Sequence, residues 1–259
     1  MLQHYRAKRY LNRGCTNYEQ GNLAQSIADF TKAIEIDPNY ADAYYNRGIV
    51  YGKQGNLTQS ASDFAKALII NPNYAGTYYN SGIVYAKQGN FTQAISDYSK
   101  AIEINPNFGN AYFNRGLAYA KQSDFAQAIP DFTKAIEINS NLEDAYYNRG
   151  CAYAEQGNLT QSIADFTKAI GIDPNSEDAY YNRGNAYYEQ GNLAQSIADF
   201  TKAIGINPNI AAFYNNRGVV YYDKTEYDKA WVDVHKAEEL GVFNTEFLKK
   251  LKKASGRDK

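Results

Sequence analysis

The sequence predicts an all-α solenoid of seven stacked helix-turn-helix repeats, ended by one further helix. Three observations predict it. A glycine recurs at Gly14, Gly48, Gly82, Gly116, Gly150, Gly184 and Gly218, one every 34 residues with no insertion or deletion. Around each glycine the apolar and small residues return at helical spacing. Each repeat is also broken at the same two places, by Gly-Asn or a related pair midway and by Asn-Pro-Asn or a related triplet at its end. A fixed period of this length is the mark of a repeat architecture, in which each unit buries its faces against its neighbours. The repeats are 7–40, 41–74, 75–108, 109–142, 143–176, 177–210 and 211–244, after an N-terminal extension at 1–6 and before a capping helix and basic tail at 245–259.

The second repeat shows the elements in order. Over Ala41 to Gln54, Tyr44, Gly48 and Tyr51 lie at spacings of four and three and predict one buried helical stripe. Gly55 supplies the left-handed residue that ends this helix, and Asn56 is suited to cap the next. The second helix, Leu57 to Ile70, is expected to bury Leu57, Ala61, Phe64, Ala67 and Leu68. Asn71-Pro72-Asn73 ends it, because proline cannot continue a helix and restrains the residue before it. An aromatic stands sixteen residues after each of the first six glycines (Phe30, Phe64, Tyr98, Phe132, Phe166, Phe200) and an alanine nineteen after every one. Glycine in one helix and alanine in the other let the pair approach closely.

The last repeat departs from the rest with Trp231, Val234, His235 and Glu238. Thr245 to Lys253 reads as an amphipathic helix with Phe247, Leu248 and Leu251 on its apolar side, as a terminal cap requires. Pro130, inside the second helix of the fourth repeat, is expected to remove one hydrogen bond and bend that helix.

Composition narrows the function. Of 259 residues, 27 are basic and 28 acidic, so the overall charge marks neither a nucleic-acid nor a membrane-surface protein. No apolar run reaches the ~18 residues of a membrane span, and Met1 to Tyr10 does not read as a secretory signal. Two cysteines, Cys15 and Cys151, four repeats apart, make no disulfide framework. These features point to a soluble cytoplasmic protein. His4 and His235 lie at opposite ends, with no partner at metal or triad spacing, and no glycine-rich phosphate loop exists. The expectation is therefore no enzyme, no metal and no cofactor.

The 34-residue period carrying Tyr, Gly, Tyr, then Ala or Ser, Phe, Ala and Pro in order resembles the tetratricopeptide repeat over nearly the whole chain, from about Ala7 to Asn244. The phrase Tyr146 to Gly150, Tyr-Tyr-Asn-Arg-Gly, looks like a bacterial variant. The resemblance implies a right-handed superhelix whose first helices line a concave groove that binds peptides or proteins. It departs from the family pattern just before the glycine, where leucine is usual and this chain has Arg13, Arg47, Arg115, Arg149, Arg183 and Arg217, with Ser81 in the third repeat. An unbroken acidic column, Asp29, Asp63, Asp97, Asp131, Asp165, Asp199 and Asp233, falls at similar height on the second helix. Arg and Asp are expected to pair there, with a weaker pair between each Asp and the Lys three residues on, as in Asp63 and Lys66. A lysine clamp for a chaperone tail would need lysine at Tyr45, Tyr79 or Tyr147 and is not expected.

On the first helix, residues four and one before the glycine, the glycine itself and three after it are expected to be buried. The opposite stripe is then the groove. It carries an asparagine in every repeat, including Asn46, Asn80, Asn114, Asn148, Asn182 and Asn216. An asparagine amide both donates and accepts, matching a peptide backbone, or else it bonds to a neighbouring helix. Beside it runs Tyr45, Tyr79, Phe113, Tyr147 and Tyr181, either interface aromatics or packing between repeats. Five residues after the glycine stand Lys53, Lys87 and Lys121, then Glu155, Glu189 and Asp223, which predicts a groove basic in repeats two to four and acidic in repeats five to seven. The function expected is a protein-interaction scaffold for an extended protein or peptide partner, with no nucleic acid bound and no membrane insertion. The alternative is an accessory or assembly module of a larger enzyme or membrane-associated complex.

Overall fold

A computed structural model of the chain describes residues 2–256. Those residues form fifteen helices and no strand. They fall into two compact units, Met1–Ile138 and Asn139–Lys259. The first unit holds α1 (Leu2–Glu19), α2 (Leu23–Ile36), α3 (Ala41–Lys53), α4 (Leu57–Ile70), α5 (Ala75–Lys87), α6 (Phe91–Ile104), α7 (Gly109–Lys121) and α8 (Phe125–Ile138). The second holds α9 (Glu143–Glu155), α10 (Leu159–Ile172), α11 (Glu177–Glu189), α12 (Leu193–Ile206), α13 (Ala211–Asp223), α14 (Tyr227–Glu239) and α15 (Thr245–Ser255). Within each unit every helix packs on its hairpin partner and on the next hairpin, as a solenoid requires. Residues 2–6, set apart above as an extension, continue α1, because nothing between Leu2 and Ala7 interrupts a helix. The last three residues of the basic tail lie outside the described residues.

The recurring glycine meets the recurring aromatic. A Cβ on Gly82 would stand 2.6 Å from the Tyr98 ring, and one on Gly48 would stand 2.9 Å from Phe64. These rings are nearly fully buried and have nowhere to turn. In the last hairpin Val234 replaces the aromatic, and the nearest atom to a Cβ on Gly218 is Asp233 Cβ at 3.3 Å.

The buried stripe of the first helix is shifted from the expected one. The glycine is buried in every repeat, as expected, and the rest of full burial falls five before it (Ala43, Thr77, Ala111, Ala145, Ala179, Phe213) and two after it (Val50, Val84, Ala118, Ala152, Ala186, Val220). Tyr44, Arg47 and Tyr51 are half-buried, with the Arg47 guanidinium 5.8 Å from each ring centre. On α4 the buried residues are Ser60, Asp63, Phe64 and Ala67, whereas Leu57, Ala61 and Leu68 are half-buried. The buried polar groups of this hairpin have partners in it: the Ser60 hydroxyl donates to the Gly48 carbonyl at 2.7 Å, and Asp63 receives Arg47.

The Arg–Asp pairs form as expected. Arg47 donates through Nε and Nη2 to the two oxygens of Asp63, both at 2.8 Å, and through Nη1 to Thr31 Oγ1 on α2 at 2.9 Å. Arg115 does the same to Asp131 and Ser99, Arg183 to Asp199 and Thr167, and Arg217 to Asp233 and Thr201. The fork therefore ties three helices, which a leucine at this place would not do. The third hairpin, with Ser81, leaves Asp97 buried with no cation; Gln93 donates to it at 2.9 Å. Burial raises the Asp97 pKa, whereas the Arg13 hydrogen bond lowers that of Asp29.

Two smaller expectations need correction. Where a glutamate stands three residues further on, the lysine pairs with it (Lys32–Glu35, Lys100–Glu103, Lys134–Glu137, Lys236–Glu239), because the aspartate is buried; after Lys66 that place is Ile69. Of the Gly-Asn asparagines, Asn90 and Asn158 cap their helices, accepting from Gln93 and Gln161. Asn22, Asn56 and Asn192 instead donate to glutamine two residues before them, Gln20, Gln54 and Gln190. Pro130 lies inside α8, which at 14 residues has the length of α6. At the C-terminal end α15 buries Phe247 and Leu251 against Ala230, Trp231 and Val234, with Leu248 packed beside them.

Candidate functional site

The proposed groove face is built by the first helix of each hairpin. Its asparagines are half-buried from Asn46 to Asn216, and Asn12 is exposed. In the first unit Asn80 Nδ2 donates to the Tyr45 hydroxyl and Asn114 Nδ2 to the Tyr79 hydroxyl, each at 3.0 Å. In the second unit Asn182 donates to Tyr147 at 2.9 Å and Asn216 to Tyr181 at 3.0 Å. Asn46 and Asn148 donate at 2.7 Å to the carbonyls of Asp42 and Asp144 on their own helices. Their sequence explains the difference: the place that Tyr45 takes in its repeat is Leu11 in the first repeat and Phe113 in the fourth, and neither has a hydroxyl.

The two columns are therefore joined. Each tyrosine hydroxyl receives an asparagine of the following hairpin, and each ring packs on the buried aromatic of its own. Tyr45 lies 6.0 Å from Phe64, Phe113 5.9 Å from Phe132, Tyr147 5.8 Å from Phe166 and Tyr181 5.7 Å from Phe200, between ring centres. Burial pushes the Tyr45, Tyr79 and Tyr147 hydroxyls to higher pKa, so they stay protonated. The rings of this column pack within the solenoid.

Small residues four after the glycine open cavities on this face. In the first unit a cavity of about 170 Å³ is lined by Gly52, Leu57, Asn80 and Ile83, with Lys53 and Lys87 at its edge. The Lys53 ammonium lies 4.9 Å from the centre of the Tyr18 ring. Lys121 is exposed and lies outside that cavity. In the second unit a larger cavity, about 480 Å³, is floored by Ala154, Ala186, Phe166 and Phe200 and edged by Asn182, Glu155 and Glu189. Asp223, the third acid of that column, accepts from the Tyr188 hydroxyl at 2.7 Å, which pushes the tyrosine pKa up to about 12.

Asn185 also lines the larger cavity and was not singled out from the sequence. Its Oδ1 accepts from Asn216 Nδ2 at 2.9 Å. The signal was present: its column otherwise reads Cys15, Ile49, Ile83, Leu117, Cys151 and Val219, and Asn185 is the one amide in it. Both cysteines are free and half-buried. Cys151 faces the larger cavity, and burial pushes its thiol pKa up to about 11.

His4 sits against Asp37 at 3.1 Å, and His235 stacks on Trp231 with ring centres 5.3 Å apart. Among the described residues no three His, Cys, Asp or Glu side chains are grouped to hold a metal ion. No helix among them is long and apolar enough to cross a membrane.

Hairpin geometry, period and groove face meet in one family. The sequence matches the family described as TPR repeat over residues 14–55, 82–123 and 150–191. It matches two families described as tetratricopeptide repeat, one over 41–74, 109–142 and 177–210 and the other over 132–164. The chain is a tetratricopeptide-repeat (TPR) protein. No curated protein matches it. Among solved structures it is similar to YrrB, described as a TPR protein with an unusual peptide-binding site, at 28% identity and a TM-score of 0.64, over 69% of this chain and 92% of that one. A TPR protein from Parabacteroides merdae matches at 24% identity and a TM-score of 0.67, over 96% and 98% of the two chains. The C-terminal part of a TPR protein from Cytophaga hutchinsonii matches at 17% identity and a TM-score of 0.78, over 92% and 98%. The last two establish the fold alone. TPR solenoids are protein-interaction scaffolds, and this TPR protein has the repeat architecture of one.

Proposed function

We propose that this TPR protein is a non-enzymatic cytoplasmic scaffold that holds an extended segment of a partner protein along its first-helix face. One observation carries the reading. Asn46, Asn80, Asn114, Asn148 and Asn182 each commit an amide N–H within the protein, while no donor within the described residues reaches their carbonyl Oδ1. Half-buried acceptors repeated at a fixed period suit the N–H groups of an extended main chain, which carries donors whatever its sequence. The similarity to YrrB supports a peptide ligand. The charged column then sets register: Lys53, Lys87 and Lys121 suit acidic residues, and Glu155 and Glu189 suit basic ones. Exposed carboxylates on the second unit's face disfavour nucleic acid.

Affinity capture from a lysate of the source organism tests this, comparing wild type with the folded Asn80→Ala, Asn114→Ala, Asn148→Ala triple variant. A partner retained by the wild type and lost by the variant is expected. Tyr45→Phe with Tyr79→Phe removes the inter-hairpin hydrogen bonds but keeps the amides, and should still retain the partner. Equal capture by all three proteins would place recognition elsewhere.

A further inference from the structure

We infer that the cavity of the second unit is a recognition pocket for one lysine or arginine side chain of the bound segment. The inference rests on the groove reading above and adds to it the chemistry of one side chain. Four features of the cavity converge. Its volume, about 480 Å³, accommodates the longest side chains. Its floor is apolar, made by Ala154, Ala186, Phe166 and Phe200, and suits the methylene stem that lysine and arginine bury beneath a charged head.

The polar groups around that floor are mostly acceptors. Glu155 and Glu189 form no ion pair or hydrogen bond within the described residues, in contrast to Asp223, which Tyr188 occupies. Asn182 commits one of its two N–H groups to Tyr147 and leaves its carbonyl open. Asn216 is used on both sides, donating to Tyr181 and Asn185 and accepting from Asn215. The open amide donors are Asn185 Nδ2 and the second N–H of Asn182 Nδ2. Two uncommitted carboxylates and an open carbonyl match a head group that only donates, and ammonium and guanidinium are the side chains of that kind. A carboxylate side chain would meet two like charges, and an apolar one would cover Glu155 and Glu189 without replacing their water. The small residues are part of the device: tyrosine stands at Tyr188 and Tyr222 where Ala154 leaves room.

Two steps test this on the full chain. First, a display library of random twelve-residue peptides is selected on the wild type. Second, the affinity of a selected fluorescein-labelled peptide is measured by anisotropy, with each of its basic residues replaced in turn by norleucine, against wild type and Glu155→Gln, Glu189→Gln. Both substituted positions are exposed, and an unchanged melting curve verifies the fold. Selected peptides should share a lysine or arginine at one position. Replacing it should weaken binding to the wild type on the order of five- to tenfold and leave binding to the double variant unchanged, since the two changes remove the same contact. The exposed Glu137→Gln, on α8, should behave as wild type. Peptides that bind without a shared basic residue, or equal losses in wild type and double variant, overturn the pocket while the groove stands. A library from which no peptide is selected overturns the groove reading itself.

Discussion

The Tyr147 hydroxyl accepts a hydrogen bond from the side-chain amide of Asn182 at 2.9 Å, 35 residues on in the next hairpin. The same relation joins Tyr45 to Asn80, Tyr79 to Asn114 and Tyr181 to Asn216. One N–H of the asparagine ties neighbouring hairpins, and in Asn80, Asn114 and Asn182 no donor within the described residues reaches the carbonyl, the group proposed above to meet a ligand. If so, Tyr147→Phe lowers stability by about 0.5–1.5 kcal/mol, the usual net worth of such a bond. Urea unfolding of Tyr147→Phe, Asn182→Ala and the double variant should show the two losses to be less than additive.

Asp97 should respond to substitution opposite to Asp63 and to pH opposite to Asp29. It is buried without a cation, and its folded-state pKa is raised above the ordinary 3.8 by burial. The folded protein then holds this proton more tightly than the unfolded chain. The stability it contributes is complete below pH 3.8 and is lost as pH rises through the folded value. Asp97→Asn should therefore stabilise at neutral pH and remove that slope, read as the urea midpoint across pH 3 to 7. Asp63→Asn, which breaks the fork from Arg47, should cost about 3 kcal/mol. Asp29, held low by Arg13, gives the opposite slope, its contribution lost as pH falls.

The glycine column makes a steric prediction. Gly82→Ala drives a methyl into Tyr98, which is 2% exposed. Overpacking of this kind costs roughly 1–3 kcal/mol, offset in part by a helix-propensity gain of about 1 kcal/mol. Gly218→Ala meets its nearest atom at 3.3 Å and should be near neutral. Thermal melts of the two variants should differ by several degrees, with Gly82→Ala the lower.

The helix C-termini offer a stabilising change. Gly55 follows α3 at φ +80°, where glycine is unstrained, and Asn56 N–H returns to the Tyr51 carbonyl at 2.9 Å. The same place after α13 holds Thr225 at φ 61° and after α7 holds Ser123 at φ 60°. A β-branched residue in this region is strained. Thr225→Gly should stabilise by about 1 kcal/mol, and Ser123→Gly by somewhat less. A fall in melting temperature for either would contradict the backbone account.

Most of this architecture was legible because the chain repeats itself: one hairpin read correctly is read seven times, as the α4 limits, Leu57–Ile70, show. The Arg47–Asp63 pairing was legible for the same reason, since two charged columns at one height leave few alternatives. Burial was harder. Ala43 and Val50 are as apolar as their half-buried neighbours, and which face closes is decided by the adjoining hairpin, not by the helix. The asparagine column was visible, but its partners were not, because the Tyr147–Asn182 bond depends on how far one hairpin turns from the next. Asn185 was passed over since its role emerges only when Asn216 and the cavity floor are seen beside it.

The Asn carbonyls are proposed to hold a peptide main chain. The most direct measurement is the dissociation constant of a display-selected peptide for wild type and for the Asn80→Ala, Asn114→Ala, Asn148→Ala variant, with Tyr45→Phe, Tyr79→Phe as the control for inter-hairpin bonding. Three hydrogen bonds of about 1 kcal/mol each predict a loss of at least tenfold in the asparagine variant and little change in the tyrosine variant. Equal affinity for the wild type and the asparagine variant would contradict the account.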